Sequence, residues 1–183
     1  MNDIIKTIKE RRSVRAYTDK QLSQEDLELI LEAGRYAPTA HNEQPWHFTV
    51  VQNKTLLDEF NIKAKAIMAK SDNEWMQGVG SNPEFHLMYN APTVIFVSSK
   101  KDAMGIETDS CAAIENMLLA AESLGIGSVW VGLLWFYLAL DEAPAKLQLP
   151  DGYKPLHGVA FGYASGPKLP APLRNPDVIN YIR

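Results

Sequence analysis

The stretch ENMLLAAESLGIGSVWVG, residues 115–132, joins the end of a long helix to a buried strand, and the reading of the fold turns on it. Ile114, Met117, Leu118 and Ala121 recur at helical spacing and give one apolar face, so a helix is predicted over 108–124. Gly125 follows the last periodic residue and is its stop. The small side chains of Ser110, Cys111, Ala112, Ala113 and Ala120 let a neighbour pack closely against that helix. Ser128 to Leu134 then reads as an apolar strand. Glycine at its end, Gly132, lets the backbone approach a flat ligand. Taken alone, a core strand with a glycine bulge explains this piece slightly better.

Working outward, Thr93 to Ser98 reads as a buried strand and Leu156 to Tyr163 as the last one. Trp46 to Val51 is a further strand, followed by a helix that Asn53 caps, with Leu56, Leu57, Phe60, Ala64, Ile67 and Met68 apolar. Near the N-terminus, Ile4, Ile5 and Ile8 mark a short amphipathic helix. Ser23 caps the next one, with Leu22 and Leu27 as its hydrophobic staple. Residues 71–84 show no regular period and are expected to form a lid or binding loop. Strands alternating with helices suggest a parallel α/β sheet when read locally.

A length of 183 residues predicts one domain, 1–183, and 46% hydrophobic against 22% charged residues excludes a disordered chain. The net charge of −4 argues against a nucleic-acid binder. The charge is uneven: residues 1–20 carry six Lys/Arg against three Asp/Glu, and three of the six arginines are Arg11, Arg12 and Arg15. A local basic site on an acidic protein suits a small anion such as a phosphate. No apolar run is long enough to span a membrane and none resembles a leader, so no membrane partner and a cytoplasmic location are expected.

Several chemistries are missing. The four histidines make no metal-binding pair, one cysteine allows no intramolecular disulfide, and no metal is expected. Cys111 reads as a buried, inert thiol, and His41 and His47 as exposed or core residues rather than ligands. There is no nucleophile elbow and no P-loop. If the protein is an enzyme, a cofactor carries the chemistry. Two further pieces bear on that. RRSVR (11–15) offers two guanidiniums and a hydroxyl for a phosphate clamp, although a solvated basic turn explains it equally well. The loop Pro38 to Trp46 presents the amides of Asn42 and Gln44, which suit the edge of a heteroaromatic ring, or else is a plain turn before a strand.

Together RRSVRAY (11–17), APTAHNEQPWHF (37–48), YNAP (89–92), the 115–132 block and LPDGYKPLHGVAFGY (149–163) resemble the nitroreductase family of FMN-dependent oxidoreductases. The resemblance runs through the whole chain in order, and the combination rather than any single piece is specific. It implies an α+β, nitroreductase-like fold with a central, mostly antiparallel sheet flanked by helices, which overrides the parallel sheet of the local reading. It also implies an intertwined homodimer with FMN at the interface. By position, Arg11 and Ser13 hold the phosphate and ribityl chain with Arg12 beside them, and Arg15 faces the flavin pyrimidine edge. Pro38, Thr39, Ala40 and Asn42 come from the second chain. Gly132 and Leu133 lie near the isoalloxazine, and Arg174 returns from the tail to the phosphate. Where many relatives carry serines, this chain has Thr39 and Ala40. Pro172 replaces a lysine that many pair with the tail arginine, and Lys168 is its possible substitute.

The activity implied is hydride transfer from NADH or NADPH through flavin N5 to an electron-poor small-molecule acceptor, such as a nitroaromatic or quinone, with ping-pong kinetics. No catalytic side chain beyond the flavin is required. Arg15, a permanent cation, is the electrostatic stabiliser of the reduced flavin. Trp75, Met76, Trp135, Phe136 and Tyr137 are pocket candidates, though each alone reads better as core or dimer contact. Two alternatives remain: a non-catalytic FMN-binding storage or regulatory protein on the same fold, and a flavin-free interaction dimer.

Overall fold

A computed structural model describes residues 1–183. In chain order the helices are α1 (Asp3–Glu10), α2 (Gln24–Arg35), α3 (Lys54–Met68), α4 (Glu74–Ser81), α5 (Ile106–Ser123), α6 (Trp135–Leu138) and α7 (Ala143–Lys146). The strands are β1 (Trp46–Val51), β2 (Thr93–Lys100), β3 (Gly127–Trp130) and β4 (Tyr153–Gly162). The sheet order is β1-β2-β4-β3, and each neighbouring pair is antiparallel. The parallel sheet suggested by local alternation is therefore corrected. The β2–α5–β3 unit does bring its two strands back in the same direction, but one position apart. β4 fills the slot between them antiparallel to both, which no local pattern of strands and helices reveals.

Both faces of the sheet are covered, so β2 is buried from Thr93 to Ser99. On one side Val94, Phe96 and Ala160 pack with Leu57, Phe60, Ala64 and Met68 of α3 and with Tyr137 and Leu138 of α6. On the other Ile95, Val97, Val159 and Phe161 meet Leu27 and Ile30 of α2 and Ile114, Met117, Leu118 and Ala121 of α5. The alternation of β2 residues between the two clusters is the two-residue period of a strand. Phe60 joins the first cluster, stacked on Tyr137 at 4.1 Å between ring centroids and edge-on to Phe96 at 5.6 Å. α3 and α7 are clamped at the surface by Lys63 and Lys146, both bonded to Glu59. These two lysines hold the Glu59 carboxyl down at about 2.

Helix starts follow the sequence. Ser23 Oγ accepts from the Asp26 N–H at 3.0 Å with Leu22 and Leu27 buried, and Asn53 caps α3 through the Leu56 N–H at 3.1 Å. The 71–84 segment is corrected from a loop to a helix: Asn73 caps α4 by accepting from the Met76 N–H at 3.1 Å. The inner face of α4, Met76, Val79 and Gly80, is only partly buried, and with two glycines in eight residues it leaves too short an apolar stripe for periodicity to detect. The predicted strand Ser128–Leu134 is shorter than expected: it ends at Trp130, and Gly132–Leu134 turn into a 3-10 helix. No helix is long and apolar enough to cross a membrane.

Candidate functional site

The N-terminal arm after α1 docks beside β3. Ser13 pairs with Ser128 in a parallel bridge, the Val14 N–H donates to Ser128 O at 2.9 Å, and Tyr17 bridges to Ala164. The Tyr17 hydroxyl donates to Val14 O at 2.7 Å, and burial pushes its pKa up. A Cβ on Gly127 would lie 2.9 Å from Val14, so glycine is what lets the arm seat this closely. The arm thereby covers the β3 edge of the sheet.

Between the arm, the α5–β3 turn and the start of the tail lies a cleft of about 540 Å³. Arg12, Ser13 and Arg15 line it together with Gly125, Gly127 and Lys168. Arg12 is tied to the backbone: its guanidinium donates to Lys9 O at 2.8 Å, to Arg11 O at 2.6 Å and to Leu169 O at 3.3 Å. Arg15 is held differently. It donates to Ser13 O at 3.4 Å and lies 5.9 Å from the centre of the Tyr89 ring, with no carboxylate partner. Arg11 instead points at Glu115, 3.8 Å away, and does not line the cleft. Lys168 pairs with Glu122 at the rim.

A second cleft of about 420 Å³ opens at the far end of the same strand, around Gly132. Trp130, Trp135, Lys154 and the His157–Glu107 pair (3.2 Å) line it. Beyond its chain neighbours, nothing lies within 4 Å of where a Gly132 Cβ would be. Leu133 packs partly against the core. Gly127 lines the first cleft and Gly132 the second, so β3 and the turn that follows it carry a glycine at each of the two clefts.

Pro38, Thr39, Ala40 and Asn42 line neither cleft within the chain. Their loop is fixed elsewhere, with the Ala40 N–H on Asp109 Oδ2 at 3.1 Å and the Met104 N–H on Glu43 Oε2 at 3.0 Å. Three of its residues, His41, Asn42 and Gln44, hold positive φ of 51°, 56° and 47°. Left-handed non-glycine residues cost about 1–3 kcal/mol each and collect at functional sites. Arg174 stands exposed in the tail and lines neither cleft. Among the pocket candidates, Tyr137 is core, whereas Trp75 and Trp135 are exposed. Cys111 is only partly buried; that burial and Glu107 push its thiol up, away from reactivity.

Sequence reasoning gave Tyr89 no role. YNAP marked a matching stretch only, and nothing in its residue types announces the left-handed turn at Tyr89 and Asn90 (φ 56° and 53°) that brings the ring to Arg15.

These features define an α+β protein whose basic cleft sits at a sheet edge beside an arm rich in arginine. The chain belongs to the nitroreductase family: the family model described as "Nitroreductase family" matches residues 8–163. The structure resembles a nitroreductase with bound FMN from Bacteroides fragilis, with a TM-score of 0.91 and 38% identity over 100% of both chains. It is also similar to an FMN-bound nitroreductase from Desulfitobacterium hafniense (TM-score 0.90, 30% identity, 100% of both chains). An FMN reductase [NAD(P)H] of Bacillus subtilis is 29% identical, matched over 93% of this chain and 71% of that one.

Proposed function

We propose that the protein is an FMN-dependent oxidoreductase that takes hydride from NADH or NADPH and passes it to an electron-poor small molecule. The observation that carries the reading is the cleft holding Arg12, Ser13 and the carboxylate-free Arg15, with an open Gly132 just past the end of β3. The residues fit FMN. Arg12 and Ser13 would hold the phosphate end by charge-assisted hydrogen bonds, with Lys168 at the rim. Gly132 leaves room that a side chain would fill, where its backbone would face the ring. Bound FMN supplies reversible two-electron chemistry at N5. Arg15 would contribute a permanent positive charge to the bound flavin, which favours electron uptake because a guanidinium does not deprotonate. The cleft at Gly132, with Trp135 at its mouth, gives nicotinamide and acceptor one shared place to stack in turn, hence ping-pong kinetics.

The site is completed by a second copy of the chain. α1 buries no residue and exposes Ile4, Ile5 and Ile8, while the tail leaves Leu173 and Ile182 fully exposed. Apolar surface of this extent calls for a partner, and the strained 38–44 loop lines neither cleft of its own chain. A homodimer that brings Pro38, Thr39, Ala40 and Asn42 to the other chain's flavin accounts for both, and Arg174 would reach the phosphate along the same tail. The reading places the protein in the cytoplasm, where reduced nicotinamide nucleotides circulate. Anaerobic stopped-flow reduction of FMN-loaded protein by NADH and by NADPH, followed by mixing with quinones and nitroaromatics, tests the reading. Rapid reduction and reoxidation support it, and slow reduction by both nucleotides supports a storage protein instead.

A further inference from the structure

The turn between α4 and β2 is strained and locked at once. Tyr89 and Asn90 are consecutive non-glycine residues in the left-handed region, at φ 56° and 53°. Such a pair persists only where its surroundings over-determine it, and here they do. His86 Nδ1 accepts from the backbone N–H of Met88 at 3.2 Å and lies 3.4 Å from that of Asn90, so one ring nitrogen gathers two donors of the turn. The Tyr89 N–H donates to His86 O at 2.8 Å and the Ala91 N–H to Met88 O at 3.0 Å. Leu87 and Met88 are wholly buried beneath, and the Leu87 N–H donates to Asn61 Oδ1 at 2.9 Å. Because Nδ1 accepts, the proton of the neutral ring sits on Nε2, which faces Asp58 Oδ1 at 3.4 Å. Burial favours that neutral form more strongly than Asp58 opposes it.

The strained geometry delivers one side chain outward: the half-buried Tyr89 ring, braced edge-on by Phe85 at 5.9 Å between centroids, with Arg15 over it at 5.9 Å. Arg15 is otherwise exposed, and its one side-chain hydrogen bond is the long one to Ser13 O. A long guanidinium side chain fixed by no carboxylate would sample many rotamers; an aromatic face restricts it without neutralising its charge. A carboxylate in the same place would cancel the charge that the proposed function needs.

We propose that Tyr89, set in its left-handed turn by His86, is a positioning residue that aims the Arg15 guanidinium at the flavin pyrimidine edge and so raises the flavin's reduction potential. The inference rests on the reading of Arg15 given above. Tyr89 touches no reacting atom; it acts through Arg15.

The test uses wild-type protein and the variants Tyr89→Gly, Tyr89→Leu, Tyr89→Phe, His86→Asn and Arg15→Ala. Each is stripped of flavin, titrated with FMN by quenching of flavin fluorescence, and its midpoint potential measured. Tyr89→Gly removes the ring while relieving the positive φ, and Tyr89→Leu checks the same loss in case the glycine loosens the turn. Both are expected to bind oxidised FMN nearly as wild type, since Arg12 and Ser13 are untouched. Both are also expected to lose about tenfold in preference for reduced over oxidised FMN, which for a two-electron couple is about 30 mV more negative. Tyr89→Phe keeps the ring face, and His86→Asn keeps an acceptor for the turn, so both should hold the wild-type potential. A wild-type potential in both Tyr89→Gly and Tyr89→Leu, alongside a lowered one in Arg15→Ala, overturns the role of Tyr89 alone. An unchanged potential in Arg15→Ala overturns the role of Arg15 and this inference with it. Failure of the wild type to bind FMN overturns the flavin reading itself.

Discussion

Arg12 and Arg15 stand three positions apart on the same arm, yet their guanidiniums are committed to different degrees. Arg12 donates to three backbone carbonyls and so stitches the arm to α1 and the tail while its charge lines the cleft. Its replacement by alanine should weaken FMN binding about 10- to 100-fold, the loss of a charged hydrogen bond worth about 1.5–3 kcal/mol. Flavin fluorescence titration measures this, and an unchanged affinity would place the phosphate elsewhere. At the same scale, His86 and His157 are both shifted down from 6.5, chiefly by burial. Asp58 opposes the shift at His86 while Lys54 and Lys65 add to it, and Glu107 opposes it at His157. A folded pKa below the unfolded value means the unfolded chain binds protons that the folded one refuses. The stability involved is therefore complete above pH 6.5 and lost as pH falls from there toward the folded values. The urea midpoint should drop between about pH 7.5 and about pH 5.5, and His86→Asn with His157→Gln should flatten that drop. Equal slopes in wild type and double variant would contradict it.

Elements differ in how plainly the sequence announces them. α2 and α3 were legible because each joins a side-chain cap to an apolar stripe that meets the sheet: Ser23 with Leu27 and Ile30, and Asn53 with Leu57, Phe60 and Ala64. β2 was legible as an apolar run because both its faces are covered. α4 has its Asn73 cap, but only Met76 and Val79 form its partly buried apolar face, so half of the usual signature is weak. The end of β3 was overrun because Val131, Leu133 and Leu134 are as apolar as the strand, while Gly132 starts a tight turn. Among core elements, α3 is the one whose loss is easiest to gauge. Phe60→Ala removes a ring stacked on Tyr137 and edge-on to Phe96, and should cost about 3–5 kcal/mol. Urea denaturation at fixed protein concentration reads this; a cost under about 1 kcal/mol would mean that the cluster repacks freely.

The whole molecule is where local reading fell short and family resemblance succeeded. Strand direction depends on β4 entering between β2 and β3, a long-range event that neither hydrophobic period nor turn residues encode. The basic arm was legible in the sequence through Arg11, Arg12 and Arg15, but its parallel docking on Ser128 and the separate fates of the three guanidiniums depend on residues distant in the chain, Ser128, Glu115 and Tyr89. The positions proposed for a second chain make a direct prediction. Replacing Ile4 and Ile8 together with glutamate puts charge on the unpartnered face of α1, and should convert a dimer to a monomer that binds FMN at least tenfold more weakly. Light scattering coupled to size exclusion, with the fluorescence titration, reads both. A wild-type monomer, or a monomeric variant that keeps full affinity, would contradict the shared site.

The central claim is that this cleft holds a flavin which nicotinamide nucleotides reduce. Its most direct test is the absorbance spectrum of the purified protein, recorded without oxygen before and after addition of NADH or NADPH. The account predicts a yellow protein whose flavin bands bleach when the nucleotide is added and return with a quinone or nitroaromatic acceptor. A protein that stays colourless after incubation with FMN would contradict it, and with it the roles given to Arg12, Ser13, Arg15 and Gly132.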